Sequence, residues 1–418
     1  MGTLWKIALR NTVRHGRRTI ITAVVMMVGI SVFISFDSML AGLDRMAVDN
    51  MADYTLSSLK IRNPAYVQDI EATPLDKGLA HPAETLAAVA AQGLAGAARL
   101  RFVARVSNYT DEIPVLADAV DPSADAGVFK LSQAVVAGSW LSRAAPRSVV
   151  LGAELARELK LNVGDQVLVS AQTVNDVTNA DEYTVAGLVS TPAPEVNRGG
   201  LFIPLDDARV LLDAPSGPGG LVTEVDVALP RASSLEAALV QGEAAASRFR
   251  AVLPAERIDP IGSLAASYLA LRNAKASYSL IPVIIVLVIS AVGIVNTILM
   301  SVFSRVREIG VLRAYGMTPR DIRRLFTLEG LALGLAGSTL GVALGALLDF
   351  LLIARGLDMA VYSQSLGSLP VSGILRGEWN PKTMLIGFAF GMIMSLLAAR
   401  IPARRAARLE PTEALRFQ

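Results

Sequence analysis

The densest charge in this chain lies in SRVREIGVLRAYGMTPRDIRRLF, residues 304–326. Arg305, Arg307 and Glu308 open the stretch, and Ile309, Val311, Leu312 and Tyr315 give it an apolar side. Gly316 breaks it. Thr318-Pro319 then restarts a helix whose first turn carries Asp321, with Arg320, Arg323 and Arg324 following. Residues of these types can form ion pairs and a docking face. Two readings stay open on the residues alone: an amphipathic helix that docks in a groove on a partner, or an inert turn at a membrane surface. Other chemistries lack their residues. There is no cysteine, hence no disulfide frame, thiolate metal site or thiol nucleophile. The only histidines, His15 and His81, are far apart and read as ordinary polar residues, so no metal site is expected. No Walker A pattern, HExxH, nucleophile elbow or kinase set occurs. Ser216-Gly217-Pro218-Gly219-Gly220 is a turn or loop and not a phosphate cradle, since no Lys-Ser/Thr follows it.

The elements around this stretch are apolar. Of 418 residues 52% are hydrophobic, and the mean hydropathy is +0.47, which favours a membrane class. Leu280 to Phe303 carries no charge over more than the roughly 20 residues that cross a bilayer core. The expected order is a cytoplasmic amphipathic segment (1–18), a first span (19–41), an extracytoplasmic domain (42–275) and a second span (276–303). The charged segment (304–325), a third span (326–355), a short outer loop (356–382), a fourth span (383–401) and a basic tail (402–418) follow. Thr19 to Leu40 reads as a retained anchor, because it is longer than a signal-peptide core. Gly330, Gly334, Gly337, Gly341 and Gly345 in the third span are three or four residues apart, a spacing that lets helix backbones approach closely. Lys and Arg concentrate in 6–18, 305–324 and 400–408, so these segments face the cytoplasm, as do both termini; the large domain lies outside, which in a bacterium is the periplasm.

The fold class is therefore a four-helix membrane protein with a large α+β domain between helices 1 and 2. Strands are expected at Leu59–Arg62, Ala98–Tyr109, Ile113–Val120, Val149–Leu151, Gln166–Ala171, Tyr183–Val189, Leu201–Pro204 and Glu224–Leu229, each rich in Val, Ile, Leu or Tyr and bounded by turn residues. Helices are expected at Pro82–Gly93, Ala153–Leu159, Leu205–Leu212 and Ser233–Leu253, with Leu205-Asp206-Asp207 as a capped start. The domain is one body or two subdomains. Charges within the spans are too few for a proton relay or an ion path.

VNTILMSVFSRVREIGVLRAYGMTPRDIRRLFTLEGLALGLAGSTLG resembles the signature core of FtsX-like, MacB-type permeases of ABC transporters, and ARIPARRAARLEPTEALR resembles their C-terminal ending. WKIALRNTVRHGRRTIITAVVMMVGIS is similar to their first span, and VVLGAELARELKLNVGDQVLV and YTVAGLVST to blocks of their outer domain. LKIRNPAYVQD is most similar to the lipoprotein-releasing LolC/LolE group.

The resemblance implies a permease subunit with no catalytic residue and no cofactor of its own. ATP and Mg would be bound by a separate ABC ATPase dimer docked on the coupling segment. Arg307, Glu308, Gly310, Arg313, Gly316 and Arg320 match the family's coupling positions. It also implies pairing with a second permease copy or paralogue, contact with membrane lipids, a lipoprotein substrate and a periplasmic carrier, and no nucleic acid. The expected location is the bacterial inner membrane. The expected function is release of lipoproteins toward the outer membrane. The alternatives are MacB-like export of a drug, peptide or toxin through a periplasmic adaptor, and FtsX-like regulation of a cell-wall hydrolase.

Overall fold

The computed structural model describes residues 16–217, 219–359 and 373–408. Most of the expected N-terminal surface segment, half of the loop at 356–382 and the end of the tail lie outside the described residues. The chain divides into an α/β unit, residues 44–271 and 358–374, and a helical unit formed by the remainder. Helix α1 (Gly16–Met51) continues ten residues past the expected end of the first span and finishes in a π-turn, Ala52–Leu56.

The α/β unit holds β1 (Leu59–Arg62), α2 (Pro82–Ala91), β2 (Ala95–Ser107), β3 (Glu112–Val120), β4 (Val135–Gly138), β5 (Ser148–Gly152), α3 (Ala153–Glu158) and β6 (Gln166–Gln172). It continues with β7 (Thr178–Val189), β8 (Gly200–Pro204), α4 (Leu205–Leu211), β9 (Glu224–Ala228), α5 (Leu235–Val252) and β10 (Arg257–Pro260). Strand β2 organises it. Its second half pairs with β6, and β2–β3–β8–β5–β7–β6 closes into a six-stranded ring. Leu100, Phe102, Ala104 and Val106 alternate into the ring's core with Val115, Val149, Val167 and Val185. The first half of β2 pairs with β9, and β9–β1–β10 extends an antiparallel sheet from it. On one face of that extension Leu59, Ile61, Val225 and Ile258 pack against Val89 of α2 and Ala245, Ala246 and Phe249 of α5. The ring and the extended sheet therefore share one strand, β2.

Two strands differ from expectation. β4 is a four-residue edge strand, and β10 reads RIDP, where the charged positions hide the pattern. The expected capping of α4 is corrected: its N-cap is Pro204 and no side chain caps it. Asp207 instead accepts the Arg147 backbone N–H at 2.7 Å, and Asp206 faces Arg209.

The helical unit is built from α1 with α6 (Ala266–Ser304), α7 (Val306–Ala314), α8 (Pro319–Arg355) and α9 (Pro381–Ala407). Three helices among the described residues, in α1, α8 and α9, are long and apolar enough to cross a membrane. Met26, Ile298, Val302, Ile309, Ile322, Phe326, Leu333, Ala399 and Ala403 join in one apolar cluster. The glycines of α8 are its closest approaches. A Cβ at Gly334 would stand 2.6 Å from the Ser395 Cβ of α9. A Cβ at Gly337, Gly341 or Gly345 would stand 2.8, 2.8 or 3.0 Å from the Cβ of Met26, Ile30 or Ile34 on α1. Gly330 meets Ala399, and its carbonyl accepts the Ser395 hydroxyl. The row thus turns from α9 to α1 along the length of α8, and any larger side chain would push these helices apart.

Candidate functional site

The charged stretch folds as a corner between two long helices. Helix α6 ends at Ser304, and Arg305 leaves helical geometry, with φ −125° and ψ 18°. The nine residues of α7 bury Val306, Ile309 and Gly310, and Ile309 joins the apolar cluster. Its opposite side shows Arg307, Glu308 and Val311 to solvent, and Tyr315 beyond it is 86% exposed. Arg313 is half-buried. Gly316 turns the chain at φ +95°, a left-handed conformation that a side chain would strain. Thr318 and Asp321 then form a full capping box: the Thr318 hydroxyl accepts the Asp321 N–H at 3.3 Å, and the Asp321 carboxylate accepts the Thr318 N–H at 3.2 Å. Arg320, Arg323 and Arg324 are exposed on the new helix, while Ile322, Leu325 and Phe326 turn inward.

The expected site residues therefore separate by role. Arg307, Glu308 and Arg320 lie on the open face, Gly310 is packed underneath, and Gly316 makes the turn. What can act here is an exposed, mainly basic surface with one aromatic side chain, suited to an acidic, partly apolar partner.

One partner of this corner was not foreseen. Arg305 is 10% exposed in its side chain; its Nη1 donates to Glu329 Oε1 at 2.9 Å and its Nε to Glu308 Oε2 at 3.0 Å. Burial opposes the charge on Arg305, and Glu329, helped by Glu308, outweighs it, so the guanidinium is held above its usual range. The pair ties the break before α7 to the third turn of α8, directly before the Gly330 contact. The available signal was Glu329 itself, an acid inside an apolar helix, which calls for a partner.

The α/β unit holds a second unforeseen charge system, on the face of β10–β1–β9–β2 opposite the apolar one. Lys60 Nζ lies 2.5 Å from Glu224 and 2.9 Å from Asp226, all with side chains at most 2% exposed. Arg62 pairs with Asp259 at 2.6 Å, and Arg101 with Asp118 at 2.7 Å. Arg99 pairs with Asp125 at 2.7 Å and stacks 3.5 Å over the Phe129 ring. Burial pushes Asp226 up; Glu224 is equally buried, but Lys60 and Arg101 override that and hold it down at about 2. Nearly every charge has its opposite on a neighbouring strand, so the system reads as a buried ionic ladder that joins strands. Among the described residues no group of three or more His, Asp or Glu side chains could hold a metal ion.

The FtsX-like permease C-terminal model matches residues 280–411, which include the whole corner, and the MacB-like periplasmic core domain model matches residues 19–244. The lipoprotein-releasing system transmembrane protein LolC of Xylella fastidiosa is 27% identical over 318 residues, 73% of each chain. The macrolide export ATP-binding/permease protein MacB of Shewanella oneidensis is 36% identical over 132 residues, 32% of this chain and 18% of that protein. A solved extracellular domain of the noncanonic ABC-type transporter YknZ from Gram-positive bacteria aligns over 48% of this chain and 98% of its own, at TM-score 0.32 and 13% identity.

Proposed function

This chain belongs to the FtsX-like, MacB-type permeases of ABC transporters, and from that premise we propose that it is the permease of a lipoprotein-releasing complex in the bacterial inner membrane. The observation that carries the substrate class is the likeness to LolC over 318 residues of both chains. That length exceeds the C-terminal permease block at 280–411, so it reaches into the α/β unit as well. The MacB of Shewanella oneidensis aligns over 132 residues.

In this reading residues 280–303 of α6 are a span alongside those in α1, α8 and α9, which makes four. Both termini and the corner at 304–325 are cytoplasmic, in line with the Lys and Arg count, and the α/β unit is periplasmic. A separate ATPase dimer binds ATP and Mg and seats the face formed by Arg307, Glu308, Tyr315 and Arg320. Its closing moves α7. Arg305–Glu329 and the buried side of α7 pass that motion to α6 and α8, both covalently continuous with the outer parts of the chain. Work is done on a lipidated protein at the outer leaflet, and no solute passes through the chain.

Depletion in the native host tests the substrate: lipoproteins should accumulate in the inner membrane. If lipoprotein sorting is unchanged while resistance to an exported compound falls, macrolide-type export replaces this reading. For the docking face, Arg313→Glu or Gly316→Pro should lower transport-coupled ATPase activity in a complex that still inserts and assembles. Unchanged coupling in both would remove the role assigned to the corner.

A further inference from the structure

The glycine row of α8 runs out into a carboxylate. Gly337, Gly341 and Gly345 meet Met26, Ile30 and Ile34 of α1 in steps of four residues on both helices. The next step of the same register sets Asp349 level with Ser38. Each is only 1% exposed. Ser38 and Asp37 are the polar neighbours of the Asp349 carboxyl. Gly377 closes over Ser38: a Cβ there would stand 2.5 Å from Ser38 Oγ, and the Glu378 N–H donates to the Ser38 carbonyl at 3.2 Å.

Three oxygens of this seam, Asp349 Oδ1, Ser38 Oγ and Ser35 Oγ one turn earlier, are buried with no hydrogen-bond partner among the described residues. The adjacent carboxylate is already engaged, because Asp37 Oδ2 accepts the Thr383 hydroxyl at 2.7 Å and the Asn380 amide at 3.3 Å. Glu329, nearer the start of the same helix, has Arg305 at 2.9 Å. Asp349 has no such cation among the described residues. A buried acid in an apolar helix is costly without a counter-charge, so the seam requires a positive charge from outside the chain. The waiting groups are a carboxylate and two hydroxyls, the oxygen donors that suit a hard cation. One free carboxylate matches one positive charge. A monovalent ion leaves the seam neutral, whereas a divalent ion would leave net charge among apolar side chains.

We infer that Asp349, Ser38 and Ser35 form a binding site for one small monovalent cation of the sodium class, held in the seam between α1 and α8. The ion collects all three orphaned oxygens at once, whereas a proton on the carboxyl would leave the Ser35 hydroxyl as it is. Bound there, it ties α8 to α1 at the end of the row where glycine no longer provides the contact. It is a site and not a path, since Asp349 is the only acid between Gly330 and Arg355 of α8. The inference rests on the reading of α8 as a membrane span.

The test is binding of radioactive sodium to the full chain in lipid nanodiscs. Binding should saturate near one ion per chain, and unlabelled sodium chloride should displace it while choline chloride does not. Asp349→Asn should weaken it by about tenfold or more, and Ser38→Ala by about threefold. Glu236→Gln, an exposed acid of the α/β unit, should leave it unchanged. Circular dichroism shows that each variant is folded; should Asp349→Asn fail that check, Ser38→Ala and Ser35→Ala carry the test. No saturable binding, displacement by choline as readily as by sodium, or equal binding in the seam variants and the wild type would each overturn the site. A thermal midpoint that follows pH but not sodium would also overturn it, placing a proton in the seam. Labelling of Leu340→Cys, 52% exposed on α8, by a membrane-impermeant maleimide would remove the span reading on which the site rests. Sodium binding with unchanged lipoprotein sorting on depletion would sink the lipoprotein reading alone, and altered sorting without sodium binding would sink the site alone.

Discussion

The α/β unit and the helical unit bury charge in opposite ways. In the α/β unit Lys60, Arg62, Arg99 and Arg101 meet Glu224, Asp226, Asp118, Asp125 and Asp259 across five strands and one helical turn, and most of these ions touch more than one partner. In the helical unit a buried pair, Arg305–Glu329, sits at a helix break, and the glycines of α8 make the close helix contacts. The difference follows from the surroundings of each fold. A sheet formed in water can assemble many ions while they are still hydrated and shed that water as partners arrive. A helix among lipids has no such source of compensation, so a buried ion pair there needs close matching, as Glu329 has at Arg305. The ladder joins neighbouring strands in one unit, and the Arg305–Glu329 pair braces a corner in the other.

The strongest way to break this comparison is to remove one rung. Glu224→Gln leaves Lys60 buried beside Asp226 alone and should lower unfolding stability by about 3–5 kcal/mol, read by denaturation of the full chain in detergent. The folded Glu224 is held down at about 2, below its unfolded value of about 4.3. Its stabilisation is therefore fully present above the unfolded value and lost as pH falls through the folded one. The gap between wild type and Glu224→Gln should narrow steadily below about pH 4. A gap that holds constant down to pH 3 would mean that Glu224 acts through shape and not through charge.

A smaller effect is expected in the helical unit. Glu329→Gln keeps a hydrogen-bond acceptor for Arg305 and removes the charge, and Glu308 remains as a second partner. The expected loss is about 1.5–3 kcal/mol, the range for hydrogen bonds to charged groups. Stability is the lesser readout. If the pair joins α7 to α8, basal ATPase activity of the assembled complex should survive while substrate-dependent stimulation falls. Arg305→Lys, which keeps the charge and loses the fork, should recover part of it. Equal losses in basal and stimulated rates would make the pair a structural tie only.

The sequence was most legible where one position carries the whole signal. Gly316 and Thr318-x-x-Asp321 are local devices, and the structure has the left-handed turn and the capping box where these residues stand. The alternation in β2 is equally local and marked a strand within three residues of its ends. The ionic ladder was illegible for the opposite reason: Lys60 and Glu224 are 164 residues apart, and a charge on a strand names no partner. β10 was missed with it, since Asp259, paired with Arg62, reads in sequence as a loop residue. The acids of α4 misled for a related reason. Asp207 has the type and position of a capping residue, but a distant backbone N–H at Arg147 claims it.

That contrast between local and distant partners sets the smallest expected effect. The hydroxyl of Thr318 serves only its own helix start, accepting the Asp321 N–H and donating to the Asp321 carboxylate at 2.6 Å. Thr318→Ala should cost about 1 kcal/mol, the usual worth of an N-cap, and Thr318→Ser should restore it. The cap also holds the first turn of α8, where Arg320 stands on the open face. If the corner must be stiff to receive a push, Thr318→Ala should reduce ATPase coupling by more than its stability loss predicts, whereas an equally destabilising substitution in the ring core, Val167→Ala with any difference titrated by temperature, should not. Equal coupling in the two variants at matched stability would show that the corner needs only to fold; a selective loss in Thr318→Ala would assign stiffness itself to the work of the permease.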